Sequence, residues 1–311
     1  MAITAPLLWL DGSLVETSSA TIPLMGHAPQ RGSLVFDVGS FHAASAGSAH
    51  PGVTLFRARE HVARFLRSAR IVGLGVAFDE HALVRAAVDV VAACGRKGGL
   101  VRWSVFFAAA EPDLLPRNTA TRVAVAAQLL EESTHGPDPS HMKPIRVAIF
   151  DDARKASPDS LSPEAKVAAA YLGPMLARRR AVAAGADDVV LLDREGNIAE
   201  APIANVFAVI GGTLCTPALG HVLPGITRDA VLAIALAEGI PVREAALTRE
   251  AFESADEAFL TATSFPIAPI AAIGARTLAA PGPITMRLAT RLAAAQLGTD
   301  DTFAAWLTHV G

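Results

Sequence analysis

The stretch EAKVAAAYLG, residues 164–173, contains one of the four lysines of the chain, Lys166, and its single tyrosine, Tyr171. An isolated lysine and tyrosine at this spacing are most simply a surface side chain and a core aromatic ring. Small apolar residues follow the lysine directly, however, and such surroundings favour the neutral amine that attacks an aldehyde. The stretch therefore supports a structural and a Schiff-base interpretation, and the other motifs of the chain decide between them.

Composition bounds the class of protein. At 311 residues, with 51% hydrophobic and 18% charged residues, the chain is long enough for two domains with sizeable cores. A net charge of −3 without a basic block argues against a nucleic-acid partner. Two cysteines indicate a reducing compartment. The start MAITAPLLWLDG lacks the pattern of a signal peptide, and no apolar run is long enough to span a membrane, so we expect a cytoplasmic protein.

The first half of the chain combines strand and helix patterns. Asp11-Gly12, between apolar segments, predicts a hairpin over residues 7–16. Apolar residues recur at helical spacing from Arg57 to Val72, and Gly73 follows where a left-handed C-cap belongs. Further predicted elements are a helix over 79–94 with Asp79 as its cap, and strands over 100–107 and 122–129.

The segment STHGPDPSHMKP, residues 133–144, contains three prolines and predicts a linker. We therefore expect a small α+β domain over 1–132 and a large domain over 145–311 that carries Lys166. In the large domain the patterns predict a strand at RVAIF, a turn and helix within 163–185, strands broken by turns at 194–197 and 210–213, a helix in LPGITRDAVLAIALAEGI and a last strand in DEAFLTATSF.

Several chemistries are absent from the sequence. The only Gly-x-Gly, at 73–75, ends a predicted helix and lacks the third glycine of a dinucleotide-binding loop. There is no P-loop, no His-Glu-x-x-His and no Cys-x-x-Cys, and the nine histidines are scattered. We therefore expect neither nucleotide nor metal chemistry.

Three features fit one anionic cofactor that carries an aldehyde. Lys166 offers the amine. Glu200 follows in a strand-rich region, where a buried carboxylate requires a cationic partner such as a protonated pyridine nitrogen. The turn LPGITRD, 223–229, opens a helix, so the N–H groups of Ile226 and Thr227 converge where a phosphate can bind.

With these motifs in this order, the chain resembles the class IV (fold type IV) pyridoxal-phosphate aminotransferases, and most closely the branched-chain amino-acid aminotransferases. The matching stretches are LFRAREHVARFLRSA (55–69), the K-x4-Y of Lys166 and Tyr171, GNIAEAPIANVFAV (196–209), LPGITRDAV (223–231), ADEAFLTATSFPIAPI (255–270) and TDDTFAAWL near the C-terminus. The resemblance implies a two-domain α+β fold like that of D-amino-acid aminotransferase, with pyridoxal 5'-phosphate at the domain interface. It also implies a homodimer that moves an amino group between a branched-chain-like amino acid and a 2-oxo acid by a ping-pong mechanism.

The resemblance also implies roles for individual residues. Lys166 forms the Schiff base and carries the proton between the cofactor and substrate carbons. Tyr171 hydrogen-bonds the phenolic oxygen of the cofactor, Glu200 pairs with the pyridine nitrogen, and Arg57 clamps the phosphate. The remaining phosphate, carboxylate and supporting contacts fall to Ile226, Thr227, Thr263, Ser264 and Asn205.

The expected substrate pocket departs from the branched-chain pattern. Arg31 and Leu100 stand where the family has tyrosines, near the other expected pocket residues Phe36 and Arg102. The loop DLLPRN is weakly similar to the D-amino-acid aminotransferases, whose loop arginine corresponds to Arg117. We expect a broadened donor range that includes some D-amino acid or (R)-amine. A D-amino-acid or (R)-amine transaminase, an aminodeoxychorismate lyase and a non-catalytic cofactor-binding protein remain the alternatives.

Overall fold

The computed structural model describes residues 3–44, 52–95, 98–111, 113–129 and 137–310. Contacts divide the chain into two compact units. Unit 1 comprises residues 1–136, 165–169 and 294–311, and unit 2 comprises 137–164 and 170–293. The predicted domain limits 1–132 and 145–311 stay a prediction. Residues 133–136 of the predicted linker lie outside the described residues, and the rest of the linker contains one short 3-10 turn, Pro139–His141.

Helices and strands are mixed along the described residues, as the α+β prediction requires. The helices are α1 (His27–Arg31), α2 (Ala58–Val72), α3 (Glu80–Cys94), α4 (Leu172–Ala183), α5 (Ile226–Ala237), α6 (Arg249–Glu253) and α7 (Pro283–Leu297). The strands are β1 (Ile3–Leu10), β2 (Ser13–Glu16), β3 (Val35–Ala43), β4 (Val53–Phe56), β5 (Gly98–Phe107), β6 (Thr121–Leu129), β7 (Ile145–Arg154), β8 (Asp188–Leu192), β9 (Glu200–Ala201), β10 (Ala204–Ile210), β11 (Thr213–Thr216), β12 (Val242–Glu244), β13 (Glu257–Thr261), β14 (Ala268–Ile273), β15 (Arg276–Thr277) and β16 (Leu307–Val310).

Unit 1 is built on an antiparallel sheet in the order β16-β4-β3-β5-β6-β1-β2. The predicted hairpin and both long helices are confirmed. Gly73 ends α2 with φ 80°, a left-handed conformation that glycine adopts without cost. Asp79 begins α3, and its carboxylate accepts a hydrogen bond from the Ala82 N–H at 2.8 Å.

A buried charge cluster joins β3 to α2 in unit 1. Asp37 on β3 accepts hydrogen bonds from His61 Nδ1 at 2.8 Å and from Arg64 Nε at 2.7 Å, both on α2. Burial alone would raise the pKa of the Asp37 carboxyl, but the Arg64 guanidinium and the His61 ring hold it well below its ordinary value. The cluster fixes the two elements that position Lys166.

Unit 2 contains a mixed sheet in the order β12-β11-β10-β13-β14-β7-β8, with β9 paired to β10 and β15 to β14. The β7–β8, β14–β7 and β11–β12 pairs are parallel. The stacked rings of Phe207 and Phe259, 5.1 Å apart, lie in its interior. The predicted turn-then-helix within 163–185 is confirmed: a 3-10 turn, Ala168–Tyr171, leads into α4. No helix in the described part of the chain combines the length and the apolarity that a membrane span requires.

Candidate active site

Hydrogen bonds of the main chain hold the Lys166 segment, which belongs to unit 1, to α2 and to the start of β3. The Lys166 N–H donates to Ser68 Oγ on α2 at 3.1 Å, and the Lys166 carbonyl accepts from the Phe36 N–H on β3 at 3.0 Å. Two residues further on, the Ala168 N–H donates to the Leu34 carbonyl at 2.8 Å. The main chain at Lys166 is therefore fixed on both sides, through α2 and through β3.

Ala169, three residues after Lys166, has a small side chain for a steric reason. Gly32 adopts φ 70°, and a Cβ added there would lie 3.0 Å from the Ala169 Cβ. The two segments approach closely because both positions lack a larger side chain. Within the apolar run VAAA, this close approach therefore requires a small side chain at Ala169.

The Lys166 amine and the Arg102 guanidinium both lie close to the Phe36 ring. Lys166 Nζ lies 5.0 Å from the centroid of the Phe36 ring, and Arg102 Cζ lies 4.7 Å from the same centroid. Leu100, two residues before Arg102 on β5, is buried on the same face of the strand. The structure thus brings together Lys166, Phe36 and Arg102, and it places Leu100 on the same face of β5 as Arg102. The permanent charge of Arg102 makes this face suitable for an anionic group.

Arg57 occupies a strained position at the start of α2. Its backbone is left-handed at φ 51°, which is uncommon outside glycine and costs about 1–2 kcal/mol. The Arg57 N–H donates to the Trp306 carbonyl at 2.6 Å, its Nε donates to Glu60 at 2.8 Å, and its guanidinium lies 4.9 Å from the centroid of the Trp306 ring. The neighbouring Arg59 is exposed. Surrounding contacts therefore hold a buried guanidinium in one orientation at this point.

Two of the three arginines predicted to contact substrate, Arg31 and Arg117, are exposed in unit 1. Arg31, in the last turn of α1, donates from Nη1 to the Gln30 carbonyl at 2.9 Å. The Arg117 side chain is 87% exposed, and its Nε lies 3.9 Å from Asp113. Both side chains contact neighbours in their own segments.

In unit 2, Glu200 is held by its side chain. One carboxylate oxygen, Oε2, accepts from the Leu223 N–H at 2.9 Å and from Asn205 Nδ2 at 3.3 Å. The other oxygen, Oε1, contacts the Lys155 ammonium. Glu200 on β9 pairs with Asn205 on β10, which pairs with Thr261 on β13, so the three side chains share one face of the sheet.

The glycine of LPGITRD has a defined task. Asn205 Nδ2 also donates to the Leu223 carbonyl at 2.9 Å, which ties the strand to the turn before α5. A Cβ at Gly225 would lie 2.0 Å from Asn205 Oδ1. Only glycine at this position leaves the Asn205 amide where it reaches both Leu223 and Glu200.

Candidate phosphate donors begin α5. Ile226 and Thr227 form its first turn after Gly225, and no side chain caps this end of the helix. The N–H groups of a first helical turn point along the axis and attract anions. Thr227 is buried, so a ligand here would be shielded from solvent.

Three other predicted residues of unit 2 lie in turns. Thr263 and Ser264 follow β13, in a turn that the Ala262 N–H closes on the Phe265 carbonyl at 3.1 Å, and both are half-buried. Tyr171 is half-buried at the end of the 3-10 turn before α4.

Several residues that touch the predicted ones were not predicted from the sequence. Ser68, Trp306, Lys155 and Thr261 are contacts that depend on tertiary structure or strand register. Thr261 could have been found from the register of DEAFLTATSF against GNIAEAPIANVF, but the sequence holds no signal that places Lys155 beside Glu200.

The structure also brings together three groups that metal ions use as ligands. Ligand atoms of Asp193, Glu195 and His221 lie within 4.8 Å of one another in unit 2. The Glu195 side chain is 45% exposed and that of His221 is 40% exposed. Exposed acidic groups are often this close without an ion, so the cluster does not by itself indicate a metal site.

Comparison with known proteins identifies relatives of the whole chain. The family model for amino-transferase class IV matches residues 44–273. The branched-chain-amino-acid aminotransferase of Pseudomonas aeruginosa is 28% identical over 312 residues, which cover 100% of this chain and 99% of the relative. The crystal structure of a branched-chain aminotransferase from Thermoproteus uzoniensis, with norvaline, is 32% identical and superposes with a TM-score of 0.90 over 99% of this chain and 100% of the other. A branched-chain amino acid aminotransferase from Thermobaculum terrenum, in its PLP-bound holo-form, is 25% identical with a TM-score of 0.90 over 99% of each chain.

Proposed function

The chain belongs to the class IV aminotransferase family, and we propose that Lys166 is the residue with which it forms a Schiff base to its cofactor. It is a pyridoxal-phosphate-dependent transaminase that moves an amino group between an amino acid of the branched-chain kind and a 2-oxo acid. One observation carries the assignment: the Lys166 main chain is bonded on both sides, while its Nζ lies over the Phe36 ring, which the Arg102 guanidinium also contacts. Such anchoring aims a nucleophile while its side chain remains able to reach its partners.

The residues of unit 2 fit pyridoxal phosphate chemically. Glu200 offers a buried carboxylate held by three groups, which suits a protonated ring nitrogen. On the same face, Thr261 Oγ1 is buried and has no hydrogen-bond partner among the described residues. A buried hydroxyl in this state is one that a bound ligand can satisfy. The absence of a side chain at Gly225 leaves room for the Asn205 amide, which supports Glu200.

Pyridoxal phosphate, when bound, supplies an aldehyde and a ring that takes up the electron pair released at the substrate α-carbon. With the cofactor bound, Lys166 Nζ would be the amine that holds it, and once substrate occupies that position the same amine would serve as the base for the α-proton. It then holds that proton for delivery, so one side chain performs both tasks. Glu200 would pair with the ring nitrogen and favour its protonated form, and the Tyr171 hydroxyl would donate a hydrogen bond to the phenolic oxygen.

The remaining predicted residues bind and orient. Arg57 clamps the phosphate, since its guanidinium is buried and held in one orientation. Arg102 attracts a substrate carboxylate, and Phe36 and Leu100 offer apolar surface to the donor side chain. Further contacts to the phosphate and to the substrate carboxylate are assigned to Ile226, Thr227, Thr263 and Ser264, with Asn205 supporting Glu200.

We propose branched-chain L-amino acids as the principal donors, with a range broadened by the loss of two tyrosine hydroxyls at Arg31 and Leu100. A half-reaction panel of L-leucine, D-alanine and (R)-1-phenylethylamine, followed by cofactor absorbance, tests this. We expect the fastest conversion with L-leucine and measurable conversion with one of the other two donors. The matched variants Arg31→Ala and Arg117→Ala should slow that second donor if either guanidinium binds substrate.

Three results would contradict all or part of the proposed donor range. Conversion of D-alanine or the amine alone would make the chain a D-amino-acid or (R)-amine transaminase. Release of pyruvate from aminodeoxychorismate without a 2-oxo acid acceptor would make it a lyase. Strict preference for L-leucine, with unchanged rates in both arginine variants, would keep the transaminase and remove the broadened range.

We propose that the protein functions as a homodimer in the cytoplasm. Support for the dimer comes from α4, which exposes the large apolar side chains Leu172, Met175 and Leu176 close together along one helix. Exposed apolar groups in such number are typical of a surface that another chain covers. Sedimentation velocity of the parent should give twice the mass of the chain, and Leu176→Asp should shift it toward the monomer. A parent that sediments as a monomer would contradict the dimer.

A further inference from the structure

Glu200 has a neighbour whose charge the proposed reaction does not yet use. Lys155 contacts Glu200 Oε1, and only 17% of the Lys155 side chain and 11% of the Glu200 side chain are exposed. The Lys155 position is fixed by its main chain, because its N–H donates to the Leu192 carbonyl at the end of β8 at 2.9 Å. Its sequence neighbour Arg154 is exposed and instead donates to the Asp193 carbonyl at 2.5 Å.

Burial makes this pair unlike most ion pairs of unit 2. Arg180–Asp152 and Arg194–Glu195 are exposed and screened by solvent, so they contribute little. Withdrawing both Lys155 and Glu200 from water is costly, and pairing alone seldom returns more than that cost. A buried ion pair is therefore weak evidence of a stabilising role, and the functional use of Glu200 is the alternative reason for it.

We infer that Lys155 is a positioning residue that keeps the shared proton on the ring nitrogen of the cofactor and away from Glu200; the inference rests on the proposed pairing of Glu200 with that nitrogen. A proton shared between a carboxylate and a pyridine nitrogen leaves either an ion pair or two neutral groups. The Lys155 ammonium contacts the Glu200 carboxylate directly. A ring nitrogen paired with Glu200 would be farther from the ammonium than the carboxylate is. Coulomb attraction to the carboxylate therefore exceeds repulsion of the protonated ring, and the ion pair is favoured.

The backbone and amide donors on the other oxygen complete the arrangement. The Leu223 N–H and Asn205 Nδ2 bond Oε2, so Lys155 on Oε1 fixes the plane of the carboxylate from its opposite side. These two donors are neutral, and Lys155 supplies the one full positive charge among the protein groups that contact the carboxylate in the described residues. Removing that charge should therefore shift the shared proton without releasing the carboxylate from its other donors.

The test compares Lys155→Met, Lys155→Gln and Lys155→Arg, with Arg154→Met as the matched control. Each holoenzyme is loaded with pyridoxal phosphate labelled with nitrogen-15 in the ring, and the chemical shift of that nitrogen reports whether it is protonated. We expect a protonated signal in the parent, in Lys155→Arg and in Arg154→Met. In Lys155→Met and Lys155→Gln the signal should move toward the unprotonated position, with an approximately tenfold or larger fall in the L-leucine half-reaction rate.

The outcomes separate this inference from the proposed role of Glu200. Glu200→Gln should lose the protonated signal; if it keeps the signal, the proposed pairing itself is wrong. If Glu200→Gln loses the signal while Lys155→Met and Lys155→Gln keep it at parental rates, Lys155 has only a structural role and the inference is overturned. Glutamine retains a donor without the charge, so a parental signal in Lys155→Gln with a shifted one in Lys155→Met would equally overturn the electrostatic explanation. Thermal unfolding of each variant verifies that the proteins compared are folded.

Discussion

The two units hold their key side chains in different ways. In unit 1 the main chain of Lys166 is bonded to α2 and β3, and its amine lies at the end of a flexible stem. In unit 2 the carboxylate of Glu200 is itself bonded, by Leu223, Asn205 and Lys155. An amine that must exchange partners requires an anchored main chain and a long side chain. A carboxylate that must keep one orientation requires that its own oxygen atoms be bonded. The way in which Lys166 and Glu200 are each held therefore fits the task proposed for each residue.

The largest expected effect comes from removing the Lys166 amine. Lys166→Ala should lower the transamination rate by more than about 10³-fold, because it removes both nucleophile and proton carrier. Borohydride reduction and peptide mass spectrometry should place the cofactor on Lys166 in the parent, and on no lysine in the variant. The exposed Lys143, changed to Ala, serves as the control. Cofactor found on Lys97, Lys143 or Lys155 in the parent would show that the wrong lysine was assigned.

Glu200→Gln removes the charge from the fixed side chain while keeping its shape. We expect the cofactor to remain bound and the rate of the L-leucine half-reaction to fall roughly 10²-fold, since a neutral amide stabilises a protonated ring nitrogen poorly. Stopped-flow absorbance measures the rate, and equilibrium dialysis measures the bound cofactor. A variant that turns over at the parental rate would mean that fixing Glu200 serves stability only.

Arg57 combines both ways of holding a residue, because its N–H and its guanidinium are each bonded. Arg57→Ala should raise the cofactor dissociation constant by about 10–100-fold, since a charge-assisted hydrogen bond contributes about 1.5–3 kcal/mol. The exposed Arg59 should contribute little when changed to Ala. Fluorescence titration with pyridoxal phosphate compares the two variants, and equal affinities would remove Arg57 from the phosphate site.

A methyl group at Gly225 should loosen the fixed carboxylate indirectly. The added Cβ would collide with Asn205 Oδ1, so Gly225→Ala should displace the amide from Glu200 and Leu223. We expect a roughly tenfold slower half-reaction. Gly75→Ala, where a Cβ meets nothing within 4 Å, is the matched control. Identical kinetics of the two variants would show that Asn205 does not support the site.

The smallest effect should follow loss of one anchor of the Lys166 main chain. Ser68→Ala removes the oxygen that accepts the Lys166 N–H, at a cost of about 1 kcal/mol. The second anchor, from the Phe36 N–H, remains, so we expect a lower unfolding temperature and a rate within a few-fold of the parent. A rate loss as large as that of Glu200→Gln would mean that the main-chain anchor controls the chemistry.

Local patterns predicted much of the fold because local physics decides it. The turn at Asp11-Gly12, the left-handed Gly73 after α2 and the Asp79 cap of α3 depend on residues close in sequence, and all three are confirmed. The assignment of the cofactor and the aminotransferase class, made from the ordered motifs, is confirmed as well. The roles of individual residues stay predictions.

Tertiary structure alone decided which groups surround each of these residues. Lys155 and Trp306 hold Glu200 and Arg57 across long stretches of chain, and no local pattern encodes such contacts. The Lys166 segment belongs to unit 1 although it lies far along the chain, because its hydrogen bonds go to Phe36 and Ser68. The sequence determined which chemical groups the protein has and where its turns and caps form, since those depend on neighbours; the charges beside Glu200 and Lys166 depend on strand register and packing, which only the folded chain brings about.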